Sequence, residues 1–200
     1  FDLRVVVPVD DMAELGSAPT DDEADARSGS IWPHVEEAIV DLVTQHRSSI
    51  VFANSRRLAE RLTARLNEVW SERLELELAP AGAPAAQMPA QSGSTQGADP
   101  LLARAHHGSV SKEQRAFIED DLKSGRLRVV VATSSLELGI DMGAVDLVVQ
   151  VSAPPSVASG LQRLGRAGHQ VGEVSRGVMF PTHRADLVHS AVVAGRMVKG

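Results

Sequence analysis

The chain of 200 residues is 43% apolar and 23% charged, with a formal charge of −6 and no cysteine. This is enough apolar material to bury a core at the size of one domain, so a single domain is expected over residues 1–200. Disulfide and thiolate chemistry are excluded, and no apolar run approaches the roughly 20 residues of a membrane span or a signal-peptide pattern, so a cytoplasmic protein with no membrane partner is expected.

Leu3 to Val9 is β-branched and reads as the first strand. The stretch 10–30 reads as a mobile acidic loop: Asp10, Asp11, Glu14, Asp21, Asp22, Glu23 and Asp25 are seven acids with no base among residues 10–25. Taking these seven from the 26 acids leaves 19 against 20 bases, so the body is near neutral and any nucleic-acid binding has to be local.

From Ile31, the positions Val35, Ile39, Leu42, Val43 and His46 keep helical spacing up to Ser48. Ile50 to Ala53 is a short buried strand. Leu58, Leu62, Leu66 and Val69 mark a second amphipathic helix, begun by Asn54 or Ser55, with Arg56, Arg57, Arg61 and Arg65 on or near its polar side. Arg61 and Arg65 read as surface residues; Arg56, beside the strand end, does not.

Residues 79–99 are rich in Ala, Pro, Gly, Ser and Gln and form a low-complexity loop insertion. Order resumes at Leu101 to His107. Ser111 and Gln114 have capping-box spacing for a helix whose inner face would be Phe117, Ile118 and Leu122. Leu127 to Ala132, Leu147 to Val151 and Val178 to Phe180 are strands, and a last helix spans about 185–197. Strands alternating with helices, and reading as continuous Val/Ile runs, predict an α/β fold: an open parallel sheet with helices on both faces.

In such sheets ligands bind beyond the carboxyl ends of the strands. The polar clusters Asn54-Ser55-Arg56, His107-Gly108-Ser109 and Thr133-Ser134-Ser135 fall there, as does Ser152, which leads into a helix from Ser156 to about Ala167. On that helix Val157, Leu161 and Leu164 share an apolar stripe, whereas Gln162, Arg163 and Arg166 lie opposite and are expected to look outward. Two arginines three residues apart, with Gly165 and Gly168 allowing close approach, suit phosphate oxygens. His106 and His107 point to opposite faces of a strand, and no further cluster has ligand spacing, so no metal site is expected.

Four segments resemble helicase motifs in the order found in superfamily 2. Ile50-Val-Phe-Ala-Asn-Ser-Arg56 resembles motif IV, and His107-Gly-Ser109 the strand-contacting motif that follows it. Thr133 through Gly139-Ile-Asp141 resembles motif V, and Gln162-Arg-Leu-Gly-Arg-Ala-Gly-His169 motif VI. The resemblance implies the second RecA-like motor domain of a superfamily 2 helicase. Ser-Leu-Glu-Leu-Gly-Ile-Asp-Met-Gly and the motif VI wording are similar to the large helicase-related (Lhr) family, DNA-dependent ATPases that track along single strands and are associated with DNA repair.

By that resemblance Ser55, Arg56, Ser109 and Thr133 contact the nucleic-acid backbone. Gly139, Asp141, Gln162, Arg163 and Arg166 belong to the ATP site, with Arg163 and Arg166 as its catalytic arginine fingers. In DEAD-box RNA helicases His-Arg would stand for Gln162-Arg163 and a further Arg for His169, so single-stranded DNA is the expected partner and RNA the alternative. Only Lys112, Lys123 and Lys199 occur, none in a phosphate loop, and there is no Asp-Glu-x-His box. ATP and Mg2+ would therefore be held mainly by a preceding RecA-like domain, and the isolated chain is expected to be inactive. Two other readings are a noncatalytic helicase-like interaction module, which the arginine pair argues against, and a small-molecule α/β domain, which lacks its glycine fingerprint.

Overall fold

The computed structural model describes residues 2–12, 30–78, 101–137, 145–168 and 174–199. Six strands form one sheet: β1 (Asp2–Val5), β2 (Ser49–Phe52), β3 (Ala103–His106), β4 (Val129–Ala132), β5 (Leu147–Val151) and β6 (Arg176–Phe180). Their order is β1-β6-β5-β2-β4-β3 and every pairing is parallel. The central strands β2, β4 and β5 are buried throughout, which is why they read as apolar runs, interrupted by Ser49 and Gln150, rather than as alternation.

Side-chain alternation divides those runs between two cores. Val51, Val129, Val131, Val149 and Val151 face α1 (Trp32–Thr44) and α2 (Arg56–Leu78), which contribute Val35, Ile39, Val43, Leu62 and Leu66. Ile50, Phe52, Val130 and Val148 point the other way, onto Ile118 and Leu122 of α3 (Lys112–Ser124). Each fully buried Val, Leu or Ile contributes on the order of 1.5–3 kcal/mol. A third cluster, Leu164, Met179, Val193 and Met197, lets α4 (Val157–Leu164) and α5 (Arg184–Lys199) cover the sheet near β6. That approach is close: a Cβ on Gly177 would lie 2.4 Å from Leu164 Cδ1, so a larger residue there would require the Leu164 side chain to shift.

The helix starts follow the predicted caps. Leu58 N–H donates to Ser55 Oγ, Gln114 N–H to Ser111 Oγ and Ser159 N–H to Ser156 Oγ, at 3.2, 3.2 and 3.1 Å. Arg61 and Arg65 do more than face water. Arg61 stacks over Trp32 at 4.3 Å, and Arg65 bonds the buried Glu36, so both tie α2 to α1.

Several expectations need correction. β1 ends at Val5, because Pro8 has no N–H to continue a ladder; only Val6 N–H adds one more bond, to Met179 O. α2 runs on to Leu78. Phe117 is 69% exposed, since it stands one residue, or about 100°, away from the buried Ile118–Leu122 stripe. α4 stops at Leu164, before the anticipated 167, and Gly168 takes a left-handed φ of 68° three residues past the Gly165 cap. The acidic loop and the 79–99 insertion fall almost entirely outside the described residues. Among the described residues no helix is long and apolar enough to cross a membrane.

Candidate functional site

Parallel strands deliver their following loops to one edge of the sheet, and here those loops enclose a groove of about 450 Å³. Asn54, Ser55 and Arg56 enter it from β2, His107, Gly108 and Ser109 from β3, Thr133, Ser134 and Glu137 from β4, and Pro155, Ser159 and Arg163 from the segment after β5 that holds α4. All four residues expected to touch a strand backbone, Ser55, Arg56, Ser109 and Thr133, are thus brought together. Thr133 begins the 3-10 turn Ser134–Leu136 without capping it through its side chain. A Cβ at Gly108 would meet nothing within 4 Å, so the backbone there is open to close approach.

Arg56 is held at the groove mouth. Its Nη1 donates to Ser109 Oγ at 2.8 Å, and Nε lies 3.8 Å from Glu60. Glu60 in turn accepts from His107 Nε2 at 2.7 Å, while Ser109 N–H donates to His107 Nδ1 at 3.3 Å. These bonds define the neutral tautomer with its proton on Nε2.

His106, fully buried, serves packing rather than binding. Its Nε2 hydrogen-bonds Glu119 at 3.0 Å and its Nδ1 lies 2.9 Å from Ser135 Oγ, whose hydroxyl donates to the His106 main-chain carbonyl at 2.9 Å, which pins the 3-10 turn to β3. Burial pushes its pKa below 6.5, helped by nearby Arg115 and opposed by Glu119. The sign follows directly: below about pH 6.5 the unfolded chain takes up a proton that the folded chain refuses, so stability falls as pH drops from 6.5 toward the lowered native value. We expect the melting temperature to decline over that window more steeply in the wild type than in His106→Gln; parallel declines would contradict this. Among the described residues no three His, Cys, Asp or Glu side chains converge as a metal site.

The arginine helix departs from expectation. Arg163 does not look outward: it is 2% exposed and points under the groove. Its Nε and Nη2 donate to Glu137 Oε1, at 2.7 and 2.5 Å, and its Nη1 donates to Asn54 Oδ1 at 2.9 Å and Gln150 Oε1 at 2.7 Å. The guanidinium also lies 5.1 Å from the Phe52 ring centre. At Arg163 the polar side of α4 is covered by the loops after β2 and β4, which supply Asn54 and Glu137, so this position is buried. Such a cation is tolerated because a carboxylate and two amide oxygens satisfy it. Four of its five N–H groups are committed in this way.

Arg166 is placed differently. It is half-buried, and its Nη2 donates to the main-chain carbonyl of Glu137 at 3.1 Å. A guanidinium bonds an anionic oxygen more strongly than a neutral carbonyl, because that bond is charge-assisted. Gln162 is exposed beside it, whereas Gly139 and Asp141 lie outside the described residues.

Sequence reasoning assigned no role to Glu137 or Gln150, and gave Asn54 only as a possible helix start and a member of the polar cluster after the strand. Gln150 was detectable as the one polar residue in the buried strand Leu-Val-Val-Gln-Val. Its Nε2 donates to Val151 O and Ser152 O at 3.0 and 2.8 Å, steadying the turn at Ser152, whose φ of 60° is unusual for a residue with a Cβ. Asp186, likewise unassigned, accepts from Ala153 N and Thr182 N, both at 2.8 Å, and locks α5 to the same edge.

Comparison with known proteins identifies relatives of the chain. The helicase conserved C-terminal domain matches residues 93–170. The Lhr helicase/probable uracil glycosylase of Mycolicibacterium smegmatis is 68% identical over 208 aligned positions, covering 100% of this chain and 13% of that protein. The Lhr helicase/uracil glycosylase of Escherichia coli is 58% identical, covering 99% and 13%. The chain therefore spans about an eighth of the length of these relatives. The structure of Mycobacterium smegmatis helicase Lhr bound to ssDNA and AMP-PNP superposes with a TM-score of 0.78 at 64% identity, over 100% of this chain and 22% of that one. With the all-parallel sheet, the motif residues gathered at its carboxyl edge and this identity along the whole length, the chain belongs to the Lhr-type superfamily 2 helicases as their second RecA-like, helicase C-terminal domain.

Proposed function

We propose that this domain is one half of an ATP-driven motor that tracks along single-stranded DNA. Its groove grips the strand backbone through Ser55, Arg56, Ser109 and Thr133, and Arg166 reaches ATP held on a preceding domain. The observation that carries the reading is the convergence of those four residues from three different strand ends on one open groove. The relative with the similar fold was solved with ssDNA and AMP-PNP, which supports DNA as the strand.

Hydroxyls, backbone N–H groups and one arginine recognise phosphates and sugars, not base edges. Among the described residues no Phe, Tyr or Trp lines the groove to stack bases. Binding is therefore independent of base sequence, sensitive to salt, and weak for the isolated domain.

On the nucleotide side, the phosphate loop and magnesium-binding carboxylates belong to the preceding domain, so this chain alone does not hydrolyse ATP. Arg166 leaves the Glu137 carbonyl for the γ-phosphate when the two domains close, supplying positive charge where negative charge accumulates. Gln162 and, from the motif V resemblance, Gly139 and Asp141 complete the near side of the nucleotide site. Arg163, buried on Glu137 where it lines the groove, sets the shape of both sites.

The test is a titration of single-stranded DNA at several salt concentrations with the full-length protein. In Arg56→Ala the slope of log K against log salt should fall by about 0.7, the value for one single-strand phosphate contact. An unchanged slope, or strong discrimination between base sequences by the wild type, would contradict a backbone grip.

A further inference from the structure

Glu137 is held by both arginines of the α4 segment at once, through different parts of the residue. Its carboxylate accepts from Arg163 and from Ser159 Oγ, the latter at 2.9 Å, while its main-chain carbonyl accepts from Arg166. It stands immediately after the 3-10 turn that Thr133 opens, and it lines the strand groove. Through Arg163 Nη1 the network continues to Asn54, whose Nδ2 donates to Ala153 O at 2.7 Å and which directly precedes Ser55 and Arg56. One residue thus bonds the side chain proposed to reach the nucleotide and the network beneath the residues proposed to hold the strand.

We infer that Glu137 is a positioning residue that couples the two sites: engagement of nucleotide by Arg166 alters the hold on the Glu137 carbonyl, and the anchored carboxylate carries the change to the groove. This rests on the roles proposed above for Arg166 and the groove. The physical ground is that a buried ion pair with three committed acceptors does not deform gradually; it keeps its arrangement or exchanges it for another. The shift in the main chain at Glu137 is then shared by Arg163, Ser159 and Asn54. A carboxylate is needed because it alone can neutralise buried Arg163 while also accepting from Ser159. Coupling of this kind is reciprocal: nucleotide tightens or loosens strand binding by the same factor that strand changes nucleotide binding.

The experiment measures the affinity of full-length protein for a single-stranded oligonucleotide with and without saturating AMP-PNP. In the wild type the ratio of the two should lie in the roughly 5- to 150-fold range of coupled sites. In Glu137→Gln it should fall to within about twofold of one. A residue that only neutralised Arg163 would lower the melting temperature and both affinities and leave the ratio intact, so a retained ratio overturns the inference while the functional reading stands. Should Glu137→Gln fail to fold, Glu137→Asp is read the same way, since it keeps the charge but draws the carboxylate back from Arg163. A ratio of one in the wild type removes the inference; joined to normal turnover in Arg166→Ala, it removes the functional reading as well.

Discussion

Replacing Arg166 with alanine in the full-length protein should lower ATP turnover, at saturating ATP and single-stranded DNA, by on the order of 10³-fold or more, by analogy with arginines supplied in trans to phosphoryl transfer. The loss falls on turnover because the guanidinium meets the phosphate only when the domains close. Arg166→Lys should rescue poorly, since an ammonium restores the charge but not the planar fork. Folding should suffer far less. One contact given up in this domain is a hydrogen bond from Arg166 to a main-chain carbonyl, in the class worth about 1.5–3 kcal/mol. Near-normal turnover in Arg166→Ala would show that its guanidinium has no part in the chemistry.

Arg163→Ala should behave in the opposite way, with its first effect on stability. Removing this guanidinium leaves the Glu137 carboxylate, which is only 14% exposed, without its cation and takes a donor from both Asn54 and Gln150. Breaking one side of a buried pair costs about 3–5 kcal/mol. Denaturant unfolding of the 200-residue chain measures it directly. The double variant Arg163→Ala/Glu137→Ala should lose less than the sum of the two single variants, because the second change removes the orphaned charge. A loss below about 1 kcal/mol in Arg163→Ala would place the pair in the class of exposed, weakly contributing bridges and contradict the buried network. Two arginines that look equivalent in motif VI therefore have separable signatures, one in turnover and one in folding.

The contrast marks the limit of what the sequence discloses. The parallel α/β fold was legible because its determinants are local: the Val-rich runs at 129–132 and 147–151, and the hydroxyl caps at Ser55, Ser111 and Ser156. The gathering of Ser55, Arg56, Ser109 and Thr133 was legible for a topological reason, since each follows a strand and parallel strands end on one side. Arg163 was not. A helical wheel shows which side of α4 is apolar, but burial of the other side depends on Glu137, Asn54 and Gln150, which are 26, 109 and 13 residues away. Phe117 failed in the reverse direction, because an aromatic residue one step from a true core stripe still looks like part of it. Partners distant in the chain leave no periodicity behind.

The location of the strand is the central claim, and hydrogen–deuterium exchange of the full-length protein with and without a single-stranded oligonucleotide tests it most directly. Amides at 54–56, 108–110 and 133–136, around the groove, should gain protection. Those at 45–47 and 125–128, which belong to a separate cleft lined by Gln45, His46, Arg47, Gly125 and Arg128, should not change. Protection at that second cleft with none around Ser55, Ser109 and Thr133 would contradict the account.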